Sequence, residues 1–320
     1  MFRMNKNAIW AAVPLLLLCG CDDEPSGQRA GSLGEPELSR ERVGVGQPLE
    51  VTVAETEPPV GTVTNRSMTW RLNGISLVSD GNRYADGVYA RTVYPDEAGT
   101  NTLELNVDYV YKVAGSDGRQ IRSAVASVSF DAEPCDVRTS FWGDAPGEVV
   151  YNEYLCPLEE QPDGTYAGHY TPVYAKPLYL RYSFTDGGLS SADEKQYNEL
   201  SPLGDYALFV TSFIAFKDSM DAWYNEGALG ELSAEWTELS DKERAAWESF
   251  KEDYDTGNRK TLSVDDERLI GAAMADGRLS LRACYRTGTR TLMDLYTEPA
   301  EVTSAVAVFF VRSYTENLMK

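Results

Sequence analysis

The single histidine of the sequence is the first candidate for chemistry, because an imidazole exchanges protons near neutral pH. His169 lies between Gly168 and Tyr170, and the sequence offers no second histidine to share a metal ion. It also lacks a G-x-S-x-G nucleophile elbow, a phosphate-binding loop and an H-E-x-x-H motif, which hydrolases, nucleotide-binding proteins and zinc proteases use. We therefore predict that the protein is not an enzyme, has no catalytic residue and binds no cofactor.

A group of acidic residues near position 255 has the spacing of a calcium-binding loop. Asp253, Asp255 and Asn258 are two and three residues apart, but Gly257 occupies the fifth position of the loop and Val264 the twelfth. An EF-hand requires a bidentate glutamate at that twelfth position. We therefore predict no metal site.

A series of aromatic residues in the middle of the chain is the best candidate for ligand binding. The series comprises Trp142, Tyr151, Tyr154, Tyr166, Tyr170 and Tyr174. Flat rings of this kind offer apolar area to sugar rings at little entropic cost. The alternative is that the rings pack in the core or between domains, and it is favoured because nothing in the sequence shows that these rings are exposed. We take Trp142, Tyr166, Tyr170 and Tyr174 as the candidate ligand-binding residues.

Three cysteines follow position 100, and they lack the close pairing that zinc sites use. Export from the cytoplasm would permit a disulfide between Cys135 and Cys156. It would close a loop of about 20 residues and contribute roughly 3 kcal/mol in the chain-entropy model. The alternative is two buried free thiols, and Cys284 is unpaired in either case.

The first 20 residues predict an exported protein. Arg3 and Lys6 form a basic head, an apolar run follows over residues 8–18, and no acidic residue occurs before position 21. This is the pattern of a signal peptide. The apolar run is too short to cross a bilayer, which needs about 20 apolar residues.

The end of this segment resembles the lipobox of bacterial lipoproteins, with Gly20 before the cleavage point and Cys21 after it. The resemblance implies that Cys21 carries lipid and that this lipid anchors the protein to a membrane. The acidic residues 22–24 are similar to the export tag of Bacteroidota lipoproteins, which implies the outer face of the outer membrane. In enterobacterial sorting, an aspartate after the cysteine instead implies retention at the inner membrane. A solvated acidic linker over residues 21–37 is a further alternative.

The charge of the chain excludes one class of partner. The 320 residues carry a formal net charge of −21, and lysine and arginine form no cluster. Phosphate backbones would repel such a protein, so we predict no nucleic-acid binding. This length is typical of two or three domains.

Residues 38–133 have the pattern of a β-sandwich. Leu49, Val51 and Val53 alternate with polar residues, Asn73-Gly74 is a hairpin signal, and Trp70 is predicted to be buried on a central strand. The stretches 68–74 and 96–105 resemble signatures of bacterial Ig-like and PKD-like domains. The resemblance implies an Ig-like fold for this part of the chain.

Residues 134–200 predict a small helix-plus-sheet unit. Asp144 is expected to cap a short helix whose first turn contains Pro146, and a tyrosine-rich β segment follows. The order of these elements and the stretch 179–189 resemble the small lipoproteins of outer-membrane assembly.

Residues 201–320 predict two to three helices followed by three strands. Phe209, Phe213 and Phe216 recur at helical spacing, and Ser240 with Glu243 forms a capping box. The first two helices should pack together. The third helix is predicted at 263–274, and the three strands are predicted at 279–286, 289–296 and 302–313. The last strand has two apolar faces, which is typical of a central strand.

These patterns together predict an α+β multidomain protein. An Ig-like β-sandwich would be followed by an α+β module in which helices pack on an antiparallel sheet. For function, we expect a non-enzymatic cell-envelope lipoprotein of the outer membrane, whose sandwich spaces the module from the membrane while the module binds a protein or a glycan. The alternatives are a surface glycan-binding lipoprotein of a polysaccharide-uptake system and an outer-membrane assembly factor.

Overall fold

The computed structural model describes residues 31–57, 62–112, 118–171, 176–200, 204–224, 231–257, 263–287, 290–300 and 305–317. Of these residues, 50% are in strands and 20% are in helices. The predicted α+β fold class is therefore wrong, because the structure is mainly β, with three large sheets and four helices in the described ranges. The predicted signal peptide, Cys21 and most of the linker lie outside the described residues.

The N-terminal strands form two five-stranded sheets. The strands are β1 (Ser32–Leu33), β2 (Glu37–Leu38), β3 (Val43–Gly44), β4 (Leu49–Glu57), β5 (Thr62–Leu72), β6 (Ile75–Ser76), β7 (Arg83–Ala85), β8 (Val88–Val93), β9 (Gly99–Lys112) and β10 (Arg119–Glu133). One sheet has the order β1-β4-β8-β7, with β2 also paired to β4, and the other has the order β3-β10-β9-β5-β6.

The two sheets share one hydrophobic core, as the layers of a β-sandwich do. Leu49, Val51 and Val53 of β4 are fully buried in it, opposite Trp70 and Leu105 of the second sheet. The predicted burial of Trp70 is confirmed. Its strand β5 pairs with β9 over most of its length, whereas β6 covers only its last two residues.

The hairpin between β5 and β6 has the predicted turn. Asn73 has φ 52° and Gly74 has φ 80°, and Leu72 pairs with Ile75 across the turn. Two successive positive φ angles match the right-handed twist of a two-residue hairpin, which explains why asparagine and glycine occupy these positions.

The C-terminal strands form one eight-stranded sheet in which every pairing is antiparallel. The strands are β11 (Glu159–Glu160), β12 (Tyr166–Tyr170), β13 (Leu178–Thr185), β14 (Gly188–Glu199), β15 (Ser233–Trp236), β16 (Leu279–Arg286), β17 (Thr291–Pro299) and β18 (Ala307–Glu316). Their order is β11-β12-β13-β14-β18-β17-β16-β15. The last strand of the chain is therefore central, as predicted. Strands of the segments 134–200 and 201–320 thus belong to the same sheet.

One face of this sheet is covered by helices. The helices are α1 (Pro146–Asn152), α2 (Ala207–Trp223), α3 (Asp241–Asp255) and α4 (Val264–Ala275). The third predicted helix is confirmed as α4, and it packs against both α2 and α3, the two helices predicted to pack together. Gly271 explains the close approach of α4 to the start of α2, because a Cβ atom there would lie 2.1 Å from the Tyr206 carbonyl oxygen.

The helix starts follow the sequence signals in part. The capping box of α3 is confirmed, since the Ser240 hydroxyl accepts a hydrogen bond from the Glu243 N–H. At α1, Pro146 occupies the first turn as predicted, but the N-cap residue is Ala145 rather than Asp144. The Asp144 carboxylate instead accepts a hydrogen bond from the Phe141 N–H at 2.8 Å, one turn earlier.

Candidate functional site

Three of the predicted ligand-binding residues belong to the interior of the C-terminal unit. Trp142 is buried, and its indole Nε1 donates a hydrogen bond to the Thr291 Oγ1 atom at 2.9 Å. Tyr166 and Tyr170 of β12 pack against the same hydrophobic core. The fourth residue, Tyr174, lies outside the described residues. Trp142, Tyr166 and Tyr170 therefore pack on the core, which is the alternative to ligand binding.

Cys135, Cys156 and Cys284 are free thiols, which is the alternative to a disulfide between Cys135 and Cys156. The Cys135 sulfur lies against Gly44, and the buried Cys156 sulfur lies against Gly168, so each packs on a different glycine. Burial raises the pKa of Cys135 to about 12 and that of Cys284 to about 11. These thiols stay protonated at neutral pH, and a thiol is a much weaker nucleophile than a thiolate.

Strand alternation places a different set of rings on the face of the sheet opposite the helices. In β13, Leu180 and Tyr182 point into the core, so Tyr179 and Arg181 point to the other side. The pairing of β12 with β13 sets His169 opposite Tyr179 on that same side. We call this side the open face.

Four rings on four adjacent strands of the open face lie in contact and form what we call the aromatic row: His169, Tyr179, Phe309 and Tyr197. The ring centroids of His169 and Tyr179 are 5.9 Å apart, with the rings stacked. Phe309 lies 5.5 Å from Tyr179, edge to face, and 5.7 Å from Tyr197. Tyr179 remains 39% exposed, so the row is partly accessible to a ligand.

Charged side chains surround the aromatic row in pairs. Lys195 forms an ion pair with Glu298 and lies 5.9 Å from the Phe309 ring centroid. Arg181 forms an ion pair with Asp163, whose pKa is lowered mainly by hydrogen bonds from Thr165. Lys195 and Arg181 are therefore each paired with a carboxylate.

A cavity of about 570 Å³ opens on this face beside His169 and Tyr179. Its charged lining consists of Glu159, Asp193, Arg181 and Lys195, which are two carboxylates and two cations. The lining therefore has no net charge, and it offers both hydrogen-bond donors and acceptors.

Gly168 shapes the wall of this cavity. A Cβ atom at this position would lie 2.4 Å from the Pro157 carbonyl oxygen and 2.9 Å from the Cys156 sulfur. Only glycine permits the chain at residues 156–157 to lie so close to β12, and both Pro157 and Gly168 line the cavity.

A buried ion network on the other side of the sheet holds β14 in place. The Arg138 guanidinium donates two hydrogen bonds to Glu153, at 2.9 and 3.2 Å, and one to Glu194 of β14 at 2.9 Å. Tyr182 donates to Glu153, and Arg312 pairs with Glu194. Arg138 has a left-handed φ of 50°, which is uncommon for a residue other than glycine.

The network matters for the open face because Glu194 lies between Asp193 and Lys195 on the same strand. Successive side chains of a strand point to opposite faces of the sheet. Fixing Glu194 on the helix-covered face therefore directs Asp193 and Lys195 onto the open face. Burial raises the pKa of the Tyr182 hydroxyl well above its ordinary value. The hydroxyl therefore stays protonated and donates its hydrogen bond to Glu153. Sequence reasoning missed the network, since its members are far apart in the chain.

Across the described ranges, no three His, Cys, Asp or Glu side chains form a group that could hold a metal ion. In that same part of the chain, no helix combines the length and the apolar character that crossing a membrane requires. No protein-family model matches the chain, and no match is found among curated proteins or solved structures. No relative therefore assigns a role to any of these side chains.

Proposed function

We propose that the open face binds a neutral glycan, and that the protein does so without chemical turnover. The aromatic row carries this proposal. Rings of His169, Tyr179, Tyr197 and Phe309 lie in contact on the open face of the sheet. The C–H faces of a sugar ring pack on such rings, because both partners lose apolar surface to water.

The charges around the rings favour a sugar without charge. A sugar hydroxyl both donates and accepts hydrogen bonds, and the cavity offers guanidinium and ammonium donors beside carboxylate acceptors. Because the charges of the cavity lining cancel, a uronic acid or a sulfated sugar would gain no net attraction there, and it would approach a chain that carries a net charge of −21. We therefore expect neutral polysaccharides to bind more tightly than anionic ones.

The proposal places this activity at the cell envelope. The signal-peptide pattern of residues 1–20 and the lipobox-like sequence before Cys21 support a lipid anchor. The acidic residues 22–24 support export to the outer membrane surface. In this arrangement, the N-terminal sandwich is a spacer that holds the open face away from the bilayer.

Affinity gel electrophoresis tests the proposal directly. Native gels would contain neutral polysaccharides (xylan, mannan or mixed-linkage glucan) or anionic ones (alginate or polygalacturonate). We expect at least one neutral polysaccharide to retard the protein, with no release of reducing ends during long incubation. Retardation by none of the neutral polymers, or by the anionic ones alone, would contradict the proposal. Release of reducing ends would contradict the absence of turnover.

A further inference from the structure

A buried arginine in the N-terminal sandwich has an incomplete set of partners. Arg91 of β8 points into the space between the two sheets and is only 7% exposed. Its Nη1 atom donates to the Val78 carbonyl oxygen at 2.8 Å and to the Asn82 side chain. Its Nε atom is buried and has no hydrogen-bond partner in the structure. Burial lowers the pKa of Arg91, and Asp80 offsets this only in part.

The guanidinium therefore forms no ion pair in the described part of the chain, although the charge of Asp80 acts on it from the same groove. Within the described ranges, no carboxylate lies at ion-pair distance from Arg91, and its Nη2 atom donates to none of these residues. A buried cation is costly unless it is paired and hydrogen-bonded. Because the Nε atom is buried, Nη2 is the guanidinium nitrogen that can donate to a further acceptor.

Arg91 lines a groove of about 540 Å³. The rest of the lining is mainly apolar, with Leu72, Leu77, Val78, Val93 and Tyr94, and it also contains Asp80, Arg83 and Thr92. Val78 is 76% exposed, so the groove is open to solvent along one side. A ligand for this groove would combine an anionic group with an apolar one.

The strand that carries Arg91 also has a free edge beside the groove. β4 pairs with β8 along its whole length, from Val88 to Val93. β7 pairs with β8 only from Val88 to Ala90. Beyond Ala90, the side of β8 that faces away from β4 has no strand partner among the described residues, and this part of β8 lines the groove.

We propose that this groove binds the C-terminal end of an extended peptide whose last side chain is apolar. The terminal carboxylate accepts hydrogen bonds from Arg91, as carboxylates and guanidinium groups pair elsewhere. The last side chain packs against Leu72 and Leu77, and the peptide main chain pairs with the free edge of β8. The free edge favours a peptide over a fatty acid, because a fatty acid has no main-chain groups to pair with it.

Fluorescence anisotropy on the unaltered protein provides the first test. The probes are labelled hexapeptides that end in leucine, one with a free C-terminal carboxylate and one with a C-terminal amide. We expect the free acid to bind at least about tenfold more tightly, because a hydrogen bond to a charged group is much stronger than one to a neutral group. Equal affinity for the two peptides, or no binding of the acid at millimolar concentration, would overturn the proposal.

A pair of matched variants locates the site without touching Arg91. Val78→Asp would place a carboxylate at the rim of the groove, and Val78→Asn has the same shape without the charge; the high exposure of Val78 protects folding in both. We expect Val78→Asp to weaken binding of the acid at least about tenfold and Val78→Asn to leave it within about threefold. Equal effects of the two variants would overturn the placement of the carboxylate beside Arg91. Octanoate binding as tightly as the peptide acid would overturn the choice of a peptide.

Discussion

The buried ion network beneath the open face makes a quantitative prediction about stability. Replacing Arg138 with methionine removes the guanidinium that pairs with Glu153 and Glu194, whose side chains are 2% and 3% exposed. Breaking a buried ion pair from one side costs about 3 to 5 kcal/mol, because the remaining charge stays buried without its partner. Glu194 keeps Arg312 and Glu153 keeps Tyr182, so we expect a loss at the lower end, about 3 kcal/mol.

A matched exposed pair provides the control. Arg71 forms an ion pair with Glu104, and both side chains are more than a third exposed. Such surface pairs contribute about 0 to 1 kcal/mol, so Arg71→Met should lower the free energy of unfolding far less than Arg138→Met. Urea unfolding of both variants, followed by circular dichroism, measures the difference. A cost for Arg138→Met no greater than that for Arg71→Met would refute the reasoning.

Three further predictions concern other parts of the molecule. Gly168→Ala should distort the cavity wall, because its Cβ would lie 2.4 Å from the Pro157 carbonyl oxygen, and it should weaken glycan retardation; unchanged retardation would show that this wall is not part of the site. In the folded protein, iodoacetamide should alkylate Cys135 and Cys284 slowly at pH 7, because their thiols stay protonated; mass spectrometry that finds rapid modification would contradict this. Mass spectrometry of the protein from its native membrane should find lipid on Cys21, and an unmodified thiol there would remove the anchor from the proposal.

The sequence predicts individual strands and helices better than their assembly. Alternation locates β4 and the hairpin at Asn73-Gly74, and the capping box locates α3. The pairing of β14 with β18 joins segments more than a hundred residues apart. That pairing joins the two predicted C-terminal segments into a single sheet, and no local pattern contains it.

Strand residues can be assigned to the core or to the candidate site only when the buried side of the strand is known. Tyr166 and Tyr170 share one side of β12 and His169 has the other, as the two-residue period of a strand requires. The helices cover the tyrosine side, so the open face carries His169 and Tyr179. The sequence contains this alternation, but it does not show which side the helices cover. Phe309 joins the aromatic row only through the strand order, which long-range pairing determines.

The most direct test of the open face compares two exposed tyrosines. Tyr179 of the aromatic row is 39% exposed, and Tyr151 of α1 is 46% exposed. Calorimetric titration with an oligosaccharide of the retarding glycan should show that Tyr179→Ala weakens binding at least about fivefold, which is about 1 kcal/mol of lost ring packing. Tyr151→Ala should bind like the unaltered protein. Equal affinity of the Tyr179→Ala variant and the unaltered protein would contradict the assignment of the aromatic row as the glycan site.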